Sequence, residues 1–192
     1  LLERAAAQPK DPDRPDAPGV PEVQRVERLE DFLARKDITA VVQPIVKLGA
    51  QRQQDPWEVV GVEGLARGPA SSLLGQPSFL LSYAAHKQLQ FETDLICIQA
   101  TLDEVRRLRC DTVTFLNVQP RSLSHPEFSA RLIAAVAAAG LPNREIVLEL
   151  TEQETIVNPV AFAGALDELR RQGFRIALDD YGEGFSNLHL FH

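Results

Sequence analysis

Two adjacent carboxylates near the end of the chain have the type and position to do metal chemistry. Asp179 and Asp180 follow the short apolar run I-A-L and precede the glycine-rich stretch Y-G-E-G-F-S-N. A buried strand that ends in two carboxylates can hold hard cations at the edge of a sheet. An Asp pair before a glycine is also typical of a solvated turn that follows a strand. A metal site is therefore favoured only if other parts of the chain supply matching ligands.

Matching oxygen-bearing side chains lie at or near the ends of three other predicted strands. They are Glu63, Asn117 and Glu149. Taken singly, each has another explanation: a charge at a sheet edge, a turn former, or one of two carboxylates at a helix start. Together with the Asp pair, they form the kind of oxygen ligand set that Mg²⁺ or Mn²⁺ prefers. Two such ions about 3.5 to 4 Å apart can bind a phosphate and activate a water molecule.

The composition is that of one soluble globular domain, with 192 residues of which 44% are hydrophobic and 24% are charged. The sequence has no apolar run of transmembrane length and no signal-type N-terminus, which predicts no membrane segment and a cytoplasmic location. The net charge of −7 argues against DNA as the ligand, but not against an anionic substrate whose charge is met by bound metal. Cys97 and Cys110 lack metal-type spacing and the histidines are scattered, so we expect buried, reduced thiols and no soft-metal site.

Short apolar strands alternate with longer amphipathic segments along most of the chain. Two β-branched runs, 40–46 and 59–65, are joined by so short a polar connection that they favour an antiparallel pair. After them, predicted helices and strands alternate, which indicates parallel strands with helices outside. The helices are predicted over 78–90, 92–108, 127–139 and 160–172, and the strands over 112–118, 145–150 and 175–178. Because the carboxyl ends of such strands converge at one end of an α/β barrel, the polar side chains are expected to meet there.

Composition divides the chain into three regions. Residues 1–21 contain five prolines among charged residues, which predicts a linker from an upstream domain. Residues 22–37 carry apolar side chains at helical spacing and are predicted to form a lead-in helix that packs on the main domain. Residues 38–192 form the predicted barrel domain.

Five short motifs follow one another in this barrel region. They are Q-P-I-V from Gln43, E-G-L-A-R from Glu63, N-V-Q-P from Asn117, E-L-T-E from Glu149 and D-D-Y-G-E-G-F-S-N from Asp179. In this order and spacing they resemble the EAL-domain family of cyclic di-GMP phosphodiesterases. The resemblance implies an α/β fold, a modified (β/α)8 TIM-like barrel whose first strand is antiparallel. Only about five strands can be counted against the eight of a full barrel. The barrel domain is therefore expected to be incomplete at its C-terminus and to lack the family's later lysine.

The resemblance implies that four of these residues bind metal, namely Glu63, Asn117, Glu149 and Asp179. Asp180 would serve the second metal ion or bridge both, which makes a two-metal site for Mg²⁺ or Mn²⁺. The carboxylates of Glu63, Asp179 and Asp180 are thereby implied to be catalytic.

Three further residues receive roles from the same resemblance. Glu152 resembles a glutamate that anchors the loop over 181–187, which couples metal binding to dimerisation, and it is counted among the catalytic residues. Gln43 and Arg67 are implied to contact the substrate, Arg67 through the planar fork that suits a phosphate.

The implied activity is metal-dependent hydrolysis of cyclic di-GMP to linear pGpG in bacterial second-messenger signalling, by a homodimer with an upstream regulatory domain. The alternative is a non-catalytic cyclic di-GMP receptor, although such receptors usually lose the signature glutamate or the Asp pair, and this chain keeps both. A third interpretation, a barrel that serves only as a protein-interaction scaffold, would require the polar strand ends to be accidental. Two departures from the family pattern, Gly64 in the signature and Glu183 in the loop, are expected to leave metal binding intact.

Overall fold

The computed structural model describes residues 28–48, 57–151 and 156–179. Several predictions from the sequence fall outside these residues. They concern the linker over 1–21, the first part of the lead-in helix, the connection over 49–56, Glu152, Asp180 and the loop over 181–187.

A five-stranded mixed sheet forms the centre of the described fold. Its strands lie in chain order and are β1 Thr39–Leu48, β2 Trp57–Arg67, β3 Val113–Val118, β4 Ile146–Thr151 and β5 Arg175–Asp179. The strand β1 pairs antiparallel with β2, whereas the pairs β2 to β3, β3 to β4 and β4 to β5 are parallel. The predicted antiparallel first strand and the parallel strands after it are therefore confirmed.

Six helices accompany the sheet in the described part of the chain. They are α1 Leu29–Arg35, α2 Pro77–Lys87, α3 Gln90–Leu108, α4 Pro120–Leu123, α5 Phe128–Ala139 and α6 Pro159–Arg171. Helix α1 lies inside the predicted lead-in helix, and α2, α3, α5 and α6 match the four other predicted helices within a few residues. Helix α4 was not predicted, because a single turn that begins at a proline has no apolar periodicity to detect.

Local sequence explains where α6 begins and ends. The side chain of Asn158 caps its start by accepting a hydrogen bond from the Ala161 N–H at 3.1 Å, and Pro159 occupies the first turn. At the other end Gly173 adopts a φ of 93°, and the N–H of Phe174 bonds the Leu169 carbonyl at 3.0 Å. This is the Schellman arrangement that glycine favours, and it turns the chain directly into β5.

One face of the sheet carries the main hydrophobic core. Even-numbered residues of β3 and β4 are buried there against α3, α5 and α6, and they are Leu116, Val118, Ile146, Leu148 and Leu150. Each of these five side chains is at most 3% exposed. A smaller core packs α1 and α2 against α3. None of the helices in the described ranges is long and apolar enough to cross a membrane.

Candidate metal and substrate site

The predicted site residues of the described strands share the face of the sheet opposite the main core. Gln43 lies opposite Glu63 in the antiparallel pair, and Asn117 lies opposite Glu149 in the parallel pair. Asp179 lies opposite Thr151, two residues beyond Glu149 on the same strand. Because side chains alternate across a strand, odd-numbered residues point away from the core in all of these strands. The structure thus places these predicted site residues on one face of the sheet.

Glu63 and Asn117 are in direct contact. The Nδ2 of Asn117 donates a hydrogen bond to Glu63 Oε1 at 3.0 Å, and it also lies 3.4 Å from the carbonyl oxygen of Gly64. The contact joins the carboxyl ends of β2 and β3 and fixes one oxygen of the Glu63 carboxylate. The Asn117 carboxamide oxygen is not consumed by this contact, since only its nitrogen donates.

Glu149 lies near the charges of two other candidate site residues. Its Oε2 is buried and has no hydrogen-bond partner among residues 28–48, 57–151 and 156–179. Burial raises the pKa of this carboxyl from 4.5 to about 7, and the neighbouring charges of Glu63 and Asp179 act in the same direction. A carboxylate whose buried oxygen has no donor in the described part of the chain, next to two like charges, is in an environment that a bound cation would stabilise.

The donor chemistry of this cluster fits a hard cation. All four available ligands, Glu63, Asn117, Glu149 and Asp179, offer oxygen, which suits Mg²⁺ or Mn²⁺. Among residues 28–48, 57–151 and 156–179, however, no three His, Cys, Asp or Glu side chains are grouped closely enough to hold a metal ion. The carboxylates share one face of the sheet, but they are not drawn together into a finished coordination shell.

Comparison with known proteins identifies the family. The family model described as EAL domain matches residues 26–192. The chain belongs to the EAL domain family. The family resemblance drawn from the five motifs is confirmed, and so is the fold class.

Two curated relatives from Escherichia coli strain K12 match most of this EAL domain. One, named "Probable cyclic di-GMP phosphodiesterase PdeI", is 29% identical over 81% of this chain and 20% of its own length. The other, named "Probable cyclic di-GMP phosphodiesterase PdeB", is 30% identical over 83% of this chain and 30% of its own length. The chain thus spans less than a third of the length of either relative.

A solved structure has the same fold over the same region. This structure, named "Klebsiella pneumoniae BlrP1 pH 8.0 calcium/cy-diGMP complex", superposes with a TM-score of 0.65 and is 26% identical. The match covers 83% of this chain and 39% of that one. It supports the barrel architecture of EAL proteins for the sheet described above.

A cleft of about 390 Å³ is lined by Asn117, whereas Glu63, Glu149 and Asp179 do not line it. It lies between α2, α3 and the carboxyl ends of β2 and β3, and both Arg67 and Asn117 line it. The Nη1 of Arg67 donates to the carbonyl of its own neighbour Ala66 at 2.8 Å. Gln43 is exposed on β1 and does not line the cleft. Of the two predicted substrate contacts, Arg67 therefore lines the cleft, whereas Gln43 lies opposite Glu63 on the neighbouring strand.

Cys97 also lines the cleft, and its thiol has no role in the proposed reaction. Both cysteines are free thiols, and both are partly buried where the sequence predicted buried ones. Burial raises the pKa of the Cys97 thiol to about 12, and the charge of Asp94 adds to this effect. A thiol with so high a pKa is protonated at neutral pH and is not a nucleophile.

Gly64, the residue that follows the signature glutamate, packs directly against α3. A methyl group at this position would lie 2.0 Å from Thr101 Cγ2 and 2.6 Å from its Oγ1. The E-G-L form of the signature therefore has a physical reason in this chain, because the glycine allows Thr101 to approach the strand. The sequence alone could not show this, since the partner lies 37 residues further along the chain.

Asp94 is the residue near the site that the motifs did not single out. It is 2% exposed, and its carboxylate accepts two hydrogen bonds from Gln119, one from the backbone N–H and one from Nε2, both at 2.8 Å. The sequence does contain a signal that could have identified Asp94. Asp94 is an acidic residue on the stripe of α3 that also holds Ile98, Thr101 and Leu102, which are all buried.

Proposed function

We propose that this EAL domain hydrolyses cyclic di-GMP to linear pGpG in a reaction that requires two hard cations, Mg²⁺ or Mn²⁺. The observation that carries the proposal is the buried Oε2 of Glu149, which has no hydrogen-bond partner among the described residues and lies beside the charges of Glu63 and Asp179. An arrangement of this kind costs folding free energy unless a cation is bound. Its location at the carboxyl ends of parallel strands is where α/β barrels carry out chemistry.

The relatives support the choice of substrate. PdeI and PdeB are both named as probable cyclic di-GMP phosphodiesterases, and the BlrP1 structure is named as a complex with calcium and cy-diGMP. The chain keeps the signature glutamate Glu63 and the Asp pair at 179 and 180. We therefore extend the activity of these proteins to this chain.

Each candidate site residue would have its own role in the reaction. Glu63, Asn117, Glu149 and Asp179 would hold the cations, with Asp180 as the ligand that serves the second ion or both. When bound, the cations would supply positive charge that neutralises the phosphate and acidifies a water molecule. The Asn117 Nδ2 contact would keep Glu63 in place, so that one carboxylate oxygen remains oriented during the reaction.

Arg67 would recognise the substrate rather than take part in bond cleavage. Its guanidinium now donates to the Ala66 carbonyl, which is a neutral acceptor at the edge of the cleft. A phosphate oxygen would be a stronger acceptor for the same donor, because hydrogen bonds between charged groups are stronger than hydrogen bonds to neutral ones. Gln43, next to Glu63, would contribute a second polar contact from β1.

Regulation would come from segments outside the described residues. We propose that Glu152 anchors the loop over 181–187 and that this loop links metal binding to formation of a homodimer. The proline-rich residues 1–21 would connect the EAL domain to an upstream regulatory domain.

Product analysis tests the proposed activity. The full-length protein is incubated with cyclic di-GMP and Mn²⁺ or Mg²⁺, and pGpG is separated by chromatography. We expect product with the wild type, none with EDTA and none with Glu63→Ala. Glu58→Ala is the matched control, because Glu58 is an exposed glutamate near the start of the same strand. Normal turnover by Glu63→Ala would refute the site assignment.

A cyclic di-GMP receptor is the second candidate, and one observation favours it. The described carboxylates are not gathered into a metal-holding group. A receptor would bind cyclic di-GMP equally well in EDTA and would form no pGpG. Calorimetry of nucleotide binding with EDTA and with Mn²⁺, combined with the product assay, separates the two functions.

A further inference from the structure

Helix α3 contacts the two strands that carry Glu63 and Asn117 at two points on one face. Thr101 packs against Gly64, which is the neighbour of Glu63 on β2. Asp94, seven residues earlier on the helix, binds Gln119, two residues beyond Asn117. Residues seven apart lie on the same side of a helix, so one rigid element meets both strand ends.

Asp94 and Gln119 form a strong hydrogen-bonded contact. The carboxylate uses both oxygens, accepts one backbone and one side-chain donor, and is buried with Gln119, which is 8% exposed. Hydrogen bonds to an ionised acceptor are stronger than neutral ones, and the surrounding apolar cleft strengthens them further. The backbone bond holds the main chain itself, immediately after β3 ends at Val118.

We propose that Asp94 is a positioning residue, which fixes the carboxyl end of β3 and thereby holds the Asn117 side chain against Glu63. Asn117 is exposed on the sheet face opposite the core, so packing alone does not fix its side chain. Its position depends on the strand end that carries it, and Asp94 ties that strand end to α3. The inference rests on the proposed function only for its effect on metal binding.

Two substitutions separate positioning from a general structural role. Asp94→Ala removes both acceptors and leaves the Gln119 N–H without its partner. Asp94→Asn keeps both hydrogen bonds, because Asn Oδ1 can accept the N–H while the Gln119 amide turns over and accepts from Asn Nδ2. Asp103→Ala is the matched control, since Asp103 is an exposed aspartate of α3 that accepts a hydrogen bond from Gln99 on the same helix.

The first measurement needs no metal. The side-chain amide resonances of Asn117 are recorded by ¹H–¹⁵N NMR on the metal-free full-length protein and assigned with Asn117→Asp. We expect Asp94→Ala to move them toward the values of a free carboxamide, whereas Asp94→Asn and Asp103→Ala leave them in place. A folded Asp94→Ala protein with unchanged Asn117 resonances would overturn the inference.

The second measurement is the dissociation constant for Mn²⁺, followed by electron paramagnetic resonance. Groups that orient metal ligands typically change metal affinity by about 10- to 100-fold, so we expect a loss in this range for Asp94→Ala. Asp94→Asn should bind nearly as well as the wild type, and a loss equal to that of Asp94→Ala would contradict the hydrogen-bond mechanism. If Asp94→Ala does not fold, Gln119→Leu removes one of the two bonds and should give a smaller loss. Wild-type values for Gln119→Leu in both measurements would then count against the proposal.

The two measurements also separate this inference from the proposed function. A wild-type protein that binds no Mn²⁺ would refute the proposed function, while the Asn117 resonances would still decide the role of Asp94. Normal Mn²⁺ binding by a folded Asp94→Ala protein would refute the inference and leave the proposed function standing.

Discussion

Gly64 of β2 and Thr101 of helix α3 pack directly against each other. The Thr101 side chain occupies the space that a Cβ at residue 64 would need, with Thr101 Cγ2 at 2.0 Å from that position. Thr101 is 3% exposed, so it cannot turn away into solvent. The distance between β2 and α3 beside Glu63 is therefore set by the absence of a side chain at Gly64.

Gly64→Ala should destabilise the protein by about 1 to 3 kcal/mol, the usual cost of adding a methyl group to a packed interior. Thr101→Ala in the same chain should recover part of this loss, because it removes the two nearest atoms and leaves only the Thr101 Cβ at 2.9 Å. Urea unfolding of both single variants and the double variant gives the coupling free energy. If the two effects simply add, the contact does not determine the spacing.

The pH dependence of stability should report on Glu149. In the metal-free protein, burial and the charges of Glu63 and Asp179 raise the pKa of Glu149 from 4.5 to about 7. Between these values the folded state keeps a proton that the unfolded state has lost, so stability falls as the pH rises from 4.5 through 7. We expect Glu149→Gln to remove this part of the pH dependence and to raise the melting temperature at pH 8.

Thermal unfolding in EDTA at several pH values, compared between wild type and Glu149→Gln, checks this expectation. Added Mn²⁺ should restore the wild type at pH 8, since a cation stabilises the ionised carboxylate, and should not stabilise Glu149→Gln to the same extent. Parallel curves for the two proteins from pH 5 to pH 8 would show that Glu149 does not titrate in this range.

Two glycines of the α6 region should respond in opposite directions to the same substitution. Gly173→Ala forces an L-residue into a φ of 93° and should cost about 1 to 2 kcal/mol. Gly164 lies inside α6, and a Cβ there would meet nothing within 4 Å. Gly164→Ala should therefore stabilise the protein by about 0.5 to 1 kcal/mol through helix propensity. Chemical denaturation of the two variants provides the test, and changes of the same sign would contradict the described chain turn at Gly173.

Arg67→Ala should weaken substrate binding more than it slows the chemical step. Loss of charge-assisted hydrogen bonds to a phosphate corresponds to an increase in KM of about 10- to 100-fold, with kcat changed by much less. Steady-state kinetics with cyclic di-GMP measure the two constants. Arg131→Ala is the control, because Arg131 is an exposed arginine of α5 in a surface ion pair with Glu127. A fall in kcat with KM unchanged would move Arg67 from recognition to catalysis.

The sequence was sufficient to predict the strands, their directions and the position of Glu63, Asn117 and Glu149 at or near the carboxyl ends of their strands. These features depend on local periodicity and on the rule that polar residues collect where parallel strands end. Asp179 was found for the same reason, since it terminates a short apolar run.

The contacts made by Asp94 and Gly64 could not be predicted in the same way. Each depends on how closely α3 approaches the sheet, and no local pattern encodes that distance. The 3.0 Å contact between Asn117 and Glu63 also links residues 54 positions apart, so only the assembled sheet reveals it. The sequence predicted a set of ligands, and the structure adds the helix that contacts the chain next to two of them.

The alternation of faces along the strands gives the domain an unusual sensitivity to insertions and deletions. In β3 and β4 the even-numbered residues form the core, while the odd-numbered Asn117 and Glu149 belong to the candidate site. Removal of one residue early in either strand would move the site residues into the core and expose leucines in their place. A codon-deletion scan should therefore find that single-codon losses in these strands abolish folding and metal binding together.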